Sequence, residues 1–322
     1  SLHFLSSHRL SSLCLNLRGD IVSYQKILNL CVLSICIPIQ SEEFIKDVCV
    51  IGAGPAGILS VCKLIDKGNQ PEKMAWIDPE FCVGRFGKYY QDIRMASAND
   101  YNILYFTTST YLRSVIDDFV CNCNENRSYA PYIGEVVVAL QRVTDHLLCN
   151  TEITGIQDTA THIIRNDDHW VVCAGNHHVI CKRIIMATGF EPKHLVYDYL
   201  QEIPLDYAMT AKSLKPLIEA DDKVVVFGNG LSAQLAIKAL QELRCHRILR
   251  VYPGSQALSM HHGYMSIGVT NAQIDEQLHQ HNKVIYAIGY QEQVIAHQSK
   301  HNITYIQTMG LESISYQVRS RI

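Results

Sequence analysis

Apolar residues in this chain come in short unbroken runs, several of them closed by glycine, which alternate with stretches where they recur every third or fourth position. The first run, Val48-Cys-Val-Ile51, ends at Gly52, and such a run predicts a strand buried on both faces of a parallel sheet. Ile58, Val61, Cys62 and Ile65 then follow the i, i+3, i+4, i+7 spacing of a helix laid on that sheet, with Gly68 as its stop. Residues 73–77 predict a second strand. Helices are expected over residues 111–119 and 133–148, the second with Val136, Val137, Leu140, Val143 and Leu147 inward. Residues 91–110 are polar and rich in Ser, Thr and Asn, and residues 121–132 read as a loop or lid. Short β-like runs at 152–157, 161–165, 169–173 and 178–181, separated by turn residues, predict a small antiparallel meander. A buried strand follows and ends in Ala-Thr-Gly189. The pattern then restarts, with a strand from Lys223 to Gly228, a helix carrying Leu231, Leu235, Ala239, Leu240 and Leu243, a strand over 248–252, and a last strand from Lys283 that closes at Gly289.

The glycines at the ends of two of these strands add chemistry to the pattern. Gly52-x-Gly54-x-x-Gly57, with Pro55 and Ala56 inside it, sits between the first strand and its helix. In that position the three glycines have separate duties: a tight turn, an approach of backbone to a pyrophosphate, and close helix–strand packing. The helix N-terminus then offers free N–H groups to the phosphates. Asp78 ends the second strand, where an acid can accept hydrogen bonds from a ribose. Gly228-x-Gly230-x-Ser232-Ala233 repeats the arrangement, but the following strand ends in Tyr252-Pro253 with Arg247 and Arg250 nearby. A missing acid beside an arginine favours a 2′-phosphate, so NADPH is expected before NADH, with an Arg250 that merely faces solvent as the alternative. Gly84, Arg85 and Phe86 lie in an aromatic loop just past Asp78. They are candidates to line a flavin or its phosphates, against an ordinary loop. Two cradles, each followed by a strand ending in glycine, amount to an internal duplication.

Composition narrows the partners. With 322 residues, 48% of them apolar, the chain can hold about two cores. A net charge of −3 with scattered Lys and Arg excludes a basic field for nucleic acid, so a small-molecule substrate is expected. The 12 cysteines include no C-x-x-C, and Cys49, Cys62 and Cys181 fall in apolar strand or helix patterns. Reduced buried thiols are therefore expected rather than a disulfide frame or a zinc site. The histidines at 177–178, 261–262, 279 and 281 have no ligand spacing and read as surface or loop residues. The apolar run over residues 27–39 is too short for a bilayer span of about 20 residues. It is open to three readings: an N-terminal extension over 1–43, a signal-peptide core, or a true start near Ser41. A cytoplasmic location with no transmembrane span is expected, and the oligomeric state stays open, a homodimer included.

With both fingerprints in view, the sequence resembles the flavoproteins with two dinucleotide-binding domains, among them the pyridine nucleotide-disulfide oxidoreductases and the flavin-containing monooxygenases. The resemblance covers roughly residues 44–290. It implies an α/β chain of two Rossmann-like domains, the NAD(P)H-binding one over 205–281 inserted into an FAD-binding one over 44–204 and 282–322. It implies FAD at Gly52, Gly54, Gly57 and Asp78, and NADPH at Gly228, Gly230, Ser232 and Ala233. Thr188 and Gly189 would mark the crossing into the nicotinamide domain, and Ile288 and Gly289 the return. The Gly228–Ala233 turn and the Val83-Gly-Arg-Phe loop look closer to the monooxygenase branch, although no histidine-containing linker motif of that branch is visible. The segment over 205–281 is short for such a domain, and no Gly-Asp pair follows Tyr290. No catalytic base is identified, since the cofactor would carry the redox chemistry.

Overall fold

The computed structural model describes residues 42–219, 221–261, 263–293, 295–298, 303–304 and 319–320. The three readings of the N-terminal residues lie outside that range, apart from Glu42 and Glu43.

The chain opens with β1 (Glu42–Ile51), whose last four residues are fully buried, as an all-apolar run requires. It passes through the glycine turn into α1 (Pro55–Asp66) and returns as β2 (Met74–Ile77), parallel to β1. A helical stretch follows: α2 (Gly84–Tyr89), α3 (Asn99–Thr107), α4 (Thr110–Val115), α5 (Asp117–Glu125) and α6 (Ile133–Asn150). Then come β3 (Thr154–Ile156), β4 (Ala160–Arg165), β5 (Trp170–Ala174) and β6 (His177–Met186). With β15 (Ala296–Gln298) these strands form one sheet in the order β15-β4-β5-β6-β1-β2-β3.

Alternation along β1 divides its neighbours. Val48 and Val50 face the helices α1 and α6, together with Ile58, Leu59, Leu140 and Leu147. Cys49 and Ile51 face the other side, in a cluster with Ile77, Ile163, Trp170 and Val172. Within this sheet only the β4–β5 and β5–β6 pairings are antiparallel; the run expected as the first meander strand is β3, which pairs parallel with β2. The fourth run and the strand expected after it are one ten-residue strand, β6, which pairs antiparallel with β5 and parallel with β1.

Two helical expectations are corrected. The single helix expected over 111–119 is broken at Ile116, whose ψ of 33° with φ of −129° leaves the α region, so α4 and α5 are separate. The polar 91–110 segment contains α3, whose buried positions are Asn99, Asn102 and Phe106. Its inward stripe is largely amide, and the Asn102 side chain donates to Asn99 Oδ1 at 3.2 Å. Hydrophobic periodicity does not register such a helix.

The second sheet runs β11-β12-β10-β9-β13-β8. Its elements are β8 (Gln201–Glu202), β9 (Lys223–Phe227), β10 (Arg247–Tyr252), β11 (Ser259–His261), β12 (Tyr264–Gly268) and β13 (Lys283–Tyr286). Helices α7 (Leu205–Ala208), α8 (Ala211–Leu214), α9 (Leu231–Glu242) and α10 (Ile274–Leu278) accompany it. β13 lies between β9 and β8, parallel to both. The chain therefore leaves this sheet after Tyr286, not before Lys283. Near the other end of these strands Lys283 Nζ meets Asp222 Oδ2 at 2.6 Å and donates to Leu217 O at 2.7 Å, while Asn282 Nδ2 donates to Asp222 Oδ1.

β7 (Phe190–Pro192) and β14 (Tyr290–Glu292) pair antiparallel into a two-stranded ribbon, made of the two segments that pass between the sheets. One apolar cluster is continuous across both sheets: Val48 and Ile58 on one side, Val226, Ala233 and Leu240 on the other, with Ile203, Leu205, Ala208 and Met209 among them.

Candidate functional site

The two glycine turns are built alike, atom by atom. At the first, Gly52 N–H donates to Ile77 O at 2.8 Å and Ala187 N–H donates to Ile51 O at 2.8 Å. At the second, Gly228 N–H donates to Val251 O at 2.7 Å and Ala287 N–H donates to Phe227 O at 2.7 Å. Gly52 has φ of +106° and Gly228 +133°, and a Cβ on either would stand 2.2 Å from the carbonyl oxygen of Ala187 or Ala287. No side chain fits there, and the conformation itself favours glycine. A Cβ on Gly57 would stand 1.9 Å from Gly52 O, whereas Ala233, at the same step of the second turn, is fully buried.

The middle glycines behave differently. A Cβ on Gly54 or Gly230 would meet nothing within 4 Å. These glycines are the N-caps of α1 and α9, and neither helix has a side-chain cap or an acid in its first turn. The first N–H groups of both helices thus face an open surface beside a backbone with no side chain, a cradle that suits an anionic phosphate. Pro55 and Ala56 form the first turn of α1, and Ser232 lies half-buried on the first turn of α9.

Asp78 follows β2 and is buried. Its Oδ2 accepts from Ala53 N–H at 2.7 Å, and its Oδ1 accepts from Glu80 N–H at 2.9 Å and Phe81 N–H at 2.6 Å. The carboxylate therefore ties the first turn to the segment after β2. With about four acceptor positions on a carboxylate, roughly one stays open to a ligand hydroxyl.

Gly84, Arg85 and Phe86 lie in a helix, α2, not in the expected loop, and a Cβ on Gly84 would stand 3.1 Å from Gly54 Cα. Arg85 Nη2 is paired with Asp206 on α7. Tyr90, just past α2, donates its hydroxyl to the other oxygen of Asp206 at 2.5 Å, and Arg85 Nε lies 3.5 Å from that hydroxyl. Burial, followed by the acid's hydrogen bond, pushes the Tyr90 phenol well above its ordinary value, with Arg85 opposing. Phe86 packs against the main core. Sequence reasoning missed both Asp206 and Tyr90. The signal was present only as an acid in a short segment after β8, without a motif.

Thr188 Oγ1 donates to Gln293 O at 2.9 Å, Gln293 N–H donates to Gly189 O at 3.2 Å, and Lys193 N–H donates to Gly289 O at 3.0 Å. Gly189 and Gly289 have φ of +77° and +100°. Thr188, Gly189 and Gly289 thus stitch the two crossing segments to each other. Arg250 is half-buried and makes no ion pair among the described residues. Its Nε donates to Gly228 O at 3.2 Å, its Nη1 lies 3.4 Å from the Tyr264 hydroxyl, and the guanidinium sits over the Tyr252 ring at 5.4 Å.

Cys49, Cys62 and Cys181 are buried free thiols, and the nine described cysteines form no disulfide among themselves. Cys82, the cysteine nearest Asp78 in sequence, is pushed up to about 11 by burial and by Glu80 and Asp78. No group of three or more potential metal-ligating side chains is found among the described residues, and no described helix is long and apolar enough to cross a membrane. His281 is buried with its Nδ1 2.7 Å from Gln277 O, and His279 stacks on Tyr199. A cavity of about 220 Å³ between α3, α5 and α6, lined among others by Asn99, Phe119 and Tyr129, includes no residue of either turn.

Two matching glycine turns, each between a parallel strand and a helix and joined by a crossing ribbon, define a chain built on a duplicated dinucleotide-binding plan. The model of the pyridine nucleotide-disulphide oxidoreductase family matches residues 46–266, and the chain belongs to that family of flavin-dependent oxidoreductases. The monooxygenase AgnR1 of Paecilomyces divaricatus is 24% identical over 214 residues, which cover 60% of this chain and 54% of that protein. The chain thus spans about half the length of that curated relative. Among solved structures, the bacillithiol disulfide reductase of Staphylococcus aureus matches with a TM-score of 0.53 at 14% identity, covering 82% of this chain and 83% of that one. A cyclohexanone monooxygenase mutant of Rhodococcus sp. Phi1, solved with NADP+, matches with a TM-score of 0.46 at 18% identity, over 66% of this chain and 40% of that one.

Proposed function

We propose that this chain is an FAD-dependent oxidoreductase that takes hydride from NADPH and passes electrons to dioxygen or another small-molecule acceptor, in the manner of the monooxygenase branch. The observation that carries it is the pair of matched cradles, each with an open middle glycine at the N-terminus of a twelve-residue helix. FAD would supply the redox chemistry at the first cradle, and every other task falls to the chain. Gly54 would give the pyrophosphate a side-chain-free approach, Gly52 and Gly57 would shape the turn that presents it, and the N–H groups at the start of α1 would offset its charge. The open acceptor position of Asp78 would take a ribose hydroxyl. Gly228, Gly230, Ser232 and Ala233 repeat the role for NADPH, with Arg250 recognising the 2′-phosphate through the guanidinium positions that Gly228 O and Tyr264 leave open. The first sheet with its helices, to which β15 returns, would form the flavin-binding part, and the second sheet, from β8 through β13, the nicotinamide-binding part.

The name of the Paecilomyces relative supports an oxygen-using branch. Disulfide chemistry is disfavoured because no C-x-x-C or C-x4-C pair follows either glycine turn. Purified protein should be yellow, with absorbance near about 450 nm, and should bleach without oxygen when NADPH is added. Colourless protein that takes up no FAD would end the proposal. Flavin that binds but stays oxidised under both NADPH and NADH would instead select a non-catalytic nucleotide-binding protein, the reading that the short second unit motivates.

A further inference from the structure

We infer that Asp206 is a positioning residue that fixes how the two glycine turns face each other, through Arg85 and Tyr90. The consequence for electron delivery rests on the proposed function; the mechanical role does not.

Four observations converge on it. Arg85 lies on α2, whose first residue packs on Gly54, so the arginine is anchored beside the first turn. Asp206 lies on α7, which packs on α9, the helix that starts at the second turn. Both oxygens of Asp206 are used, one by the Arg85 guanidinium and one by the Tyr90 hydroxyl, across sequence separations of 121 and 116 residues. Tyr290 of β14, in the crossing ribbon, lies close enough to Tyr90 to help raise its phenol. The network therefore ties the helix at one turn to the helix at the other, beside the strand that connects the two sheets. Tyr89 and Tyr207 extend the same contact, edge to face at 5.4 Å.

The surrounding interface is apolar: Leu205, Ala208 and Met209 belong to the core cluster shared by both sheets. Apolar contact is non-directional and would tolerate several relative orientations. A buried carboxylate with two directed partners accepts far fewer, because sliding the interface would strand it without hydrogen bonds. Neither Asp206 nor Tyr90 belongs to either cradle, so their effect on nucleotide chemistry is exerted through orientation.

The test compares the protein with Asp206→Asn, Tyr90→Phe and the charge exchange Arg85→Asp/Asp206→Arg. Hydrogen–deuterium exchange, with or without cofactor, should rise at least about fivefold in the ribbon (residues 188–193 and 288–293) and in α7 for Asp206→Asn, while β1–α1 and β9–α9 keep their protection. The exchange variant should recover at least half of that loss. In flavin-loaded protein, the limiting rate of reduction by saturating NADPH should fall about tenfold or more in Asp206→Asn and less in Tyr90→Phe, with flavin content and nucleotide Kd within about twofold. A merely structural role would lower flavin content and protection everywhere. Should Asp206→Asn fail to fold, Tyr90→Phe, which removes one hydroxyl, carries the same exchange test. Ribbon exchange within about twofold of the parent in a folded variant overturns the inference, as does a reduction rate unchanged despite a loosened ribbon. A parent protein that binds no flavin refutes the proposed function, while the exchange data still decide the role of Asp206.

Discussion

At the level of single residues, the two kinds of glycine in each turn separate folding from binding. Gly52→Ala would push a methyl to 2.2 Å from Ala187 O at a φ of +106°. It should destabilise the protein by about 2–3 kcal/mol, read as a lowered urea midpoint. Gly54→Ala meets nothing, so its urea midpoint should stay near the parent's. Arg250 makes a similar division between ligands. Replacing it with Ala should raise the Kd for NADPH about tenfold and leave that for NADH within about twofold, as measured by equilibrium titration. The glycines were legible in the sequence because their spacing is local, and Asp78 because it ends a strand next to the turn. The Arg85–Tyr90–Asp206 contact was not. It joins residues more than a hundred positions apart, and nothing in an acid after a two-residue strand announces a buried partner.

Among the elements, those with apolar stripes were readable and those with polar interiors were not. Helix α6 followed from Val136, Val137, Leu140, Val143 and Leu147, all of which are buried. Helix α3 was missed because Asn99 and Asn102 occupy its inner face. The end of β13 was legible as a strand, but its sheet was not, since pairing between β9 and β8 is a tertiary choice. One consequence there can be measured. Burial would raise the Asp222 carboxyl, but the bonds from Lys283, the Glu219 N–H and Asn282 outweigh it and hold the group below its ordinary value. A depressed carboxyl gives stability that is present above its unfolded pKa, about 3.9, and lost as pH falls through the lower folded value. Asp222→Ala also strands the buried Lys283 ammonium. It should cost about 3 kcal/mol in urea unfolding at pH 7, and the gap from the parent should narrow below about pH 4.

For the whole molecule, duplication is the property that the sequence announced and the structure specifies in atomic terms. A Cβ on Gly52 or Gly228 would stand at the same distance from Ala187 O or Ala287 O, each turn is closed by the strand that leads out of its own sheet, and those two strands continue into one ribbon. The division of labour between the two copies is the central claim. It is tested most directly by filling each open cradle in turn and recording the flavin spectrum without oxygen. Gly54→Val should yield folded protein with no yellow colour. Gly230→Val should stay yellow and bleach with dithionite, yet not bleach with NADPH at concentrations that reduce the parent. Loss of flavin in Gly230→Val with retention in Gly54→Val, or full reduction of Gly230→Val by NADPH, would contradict the account.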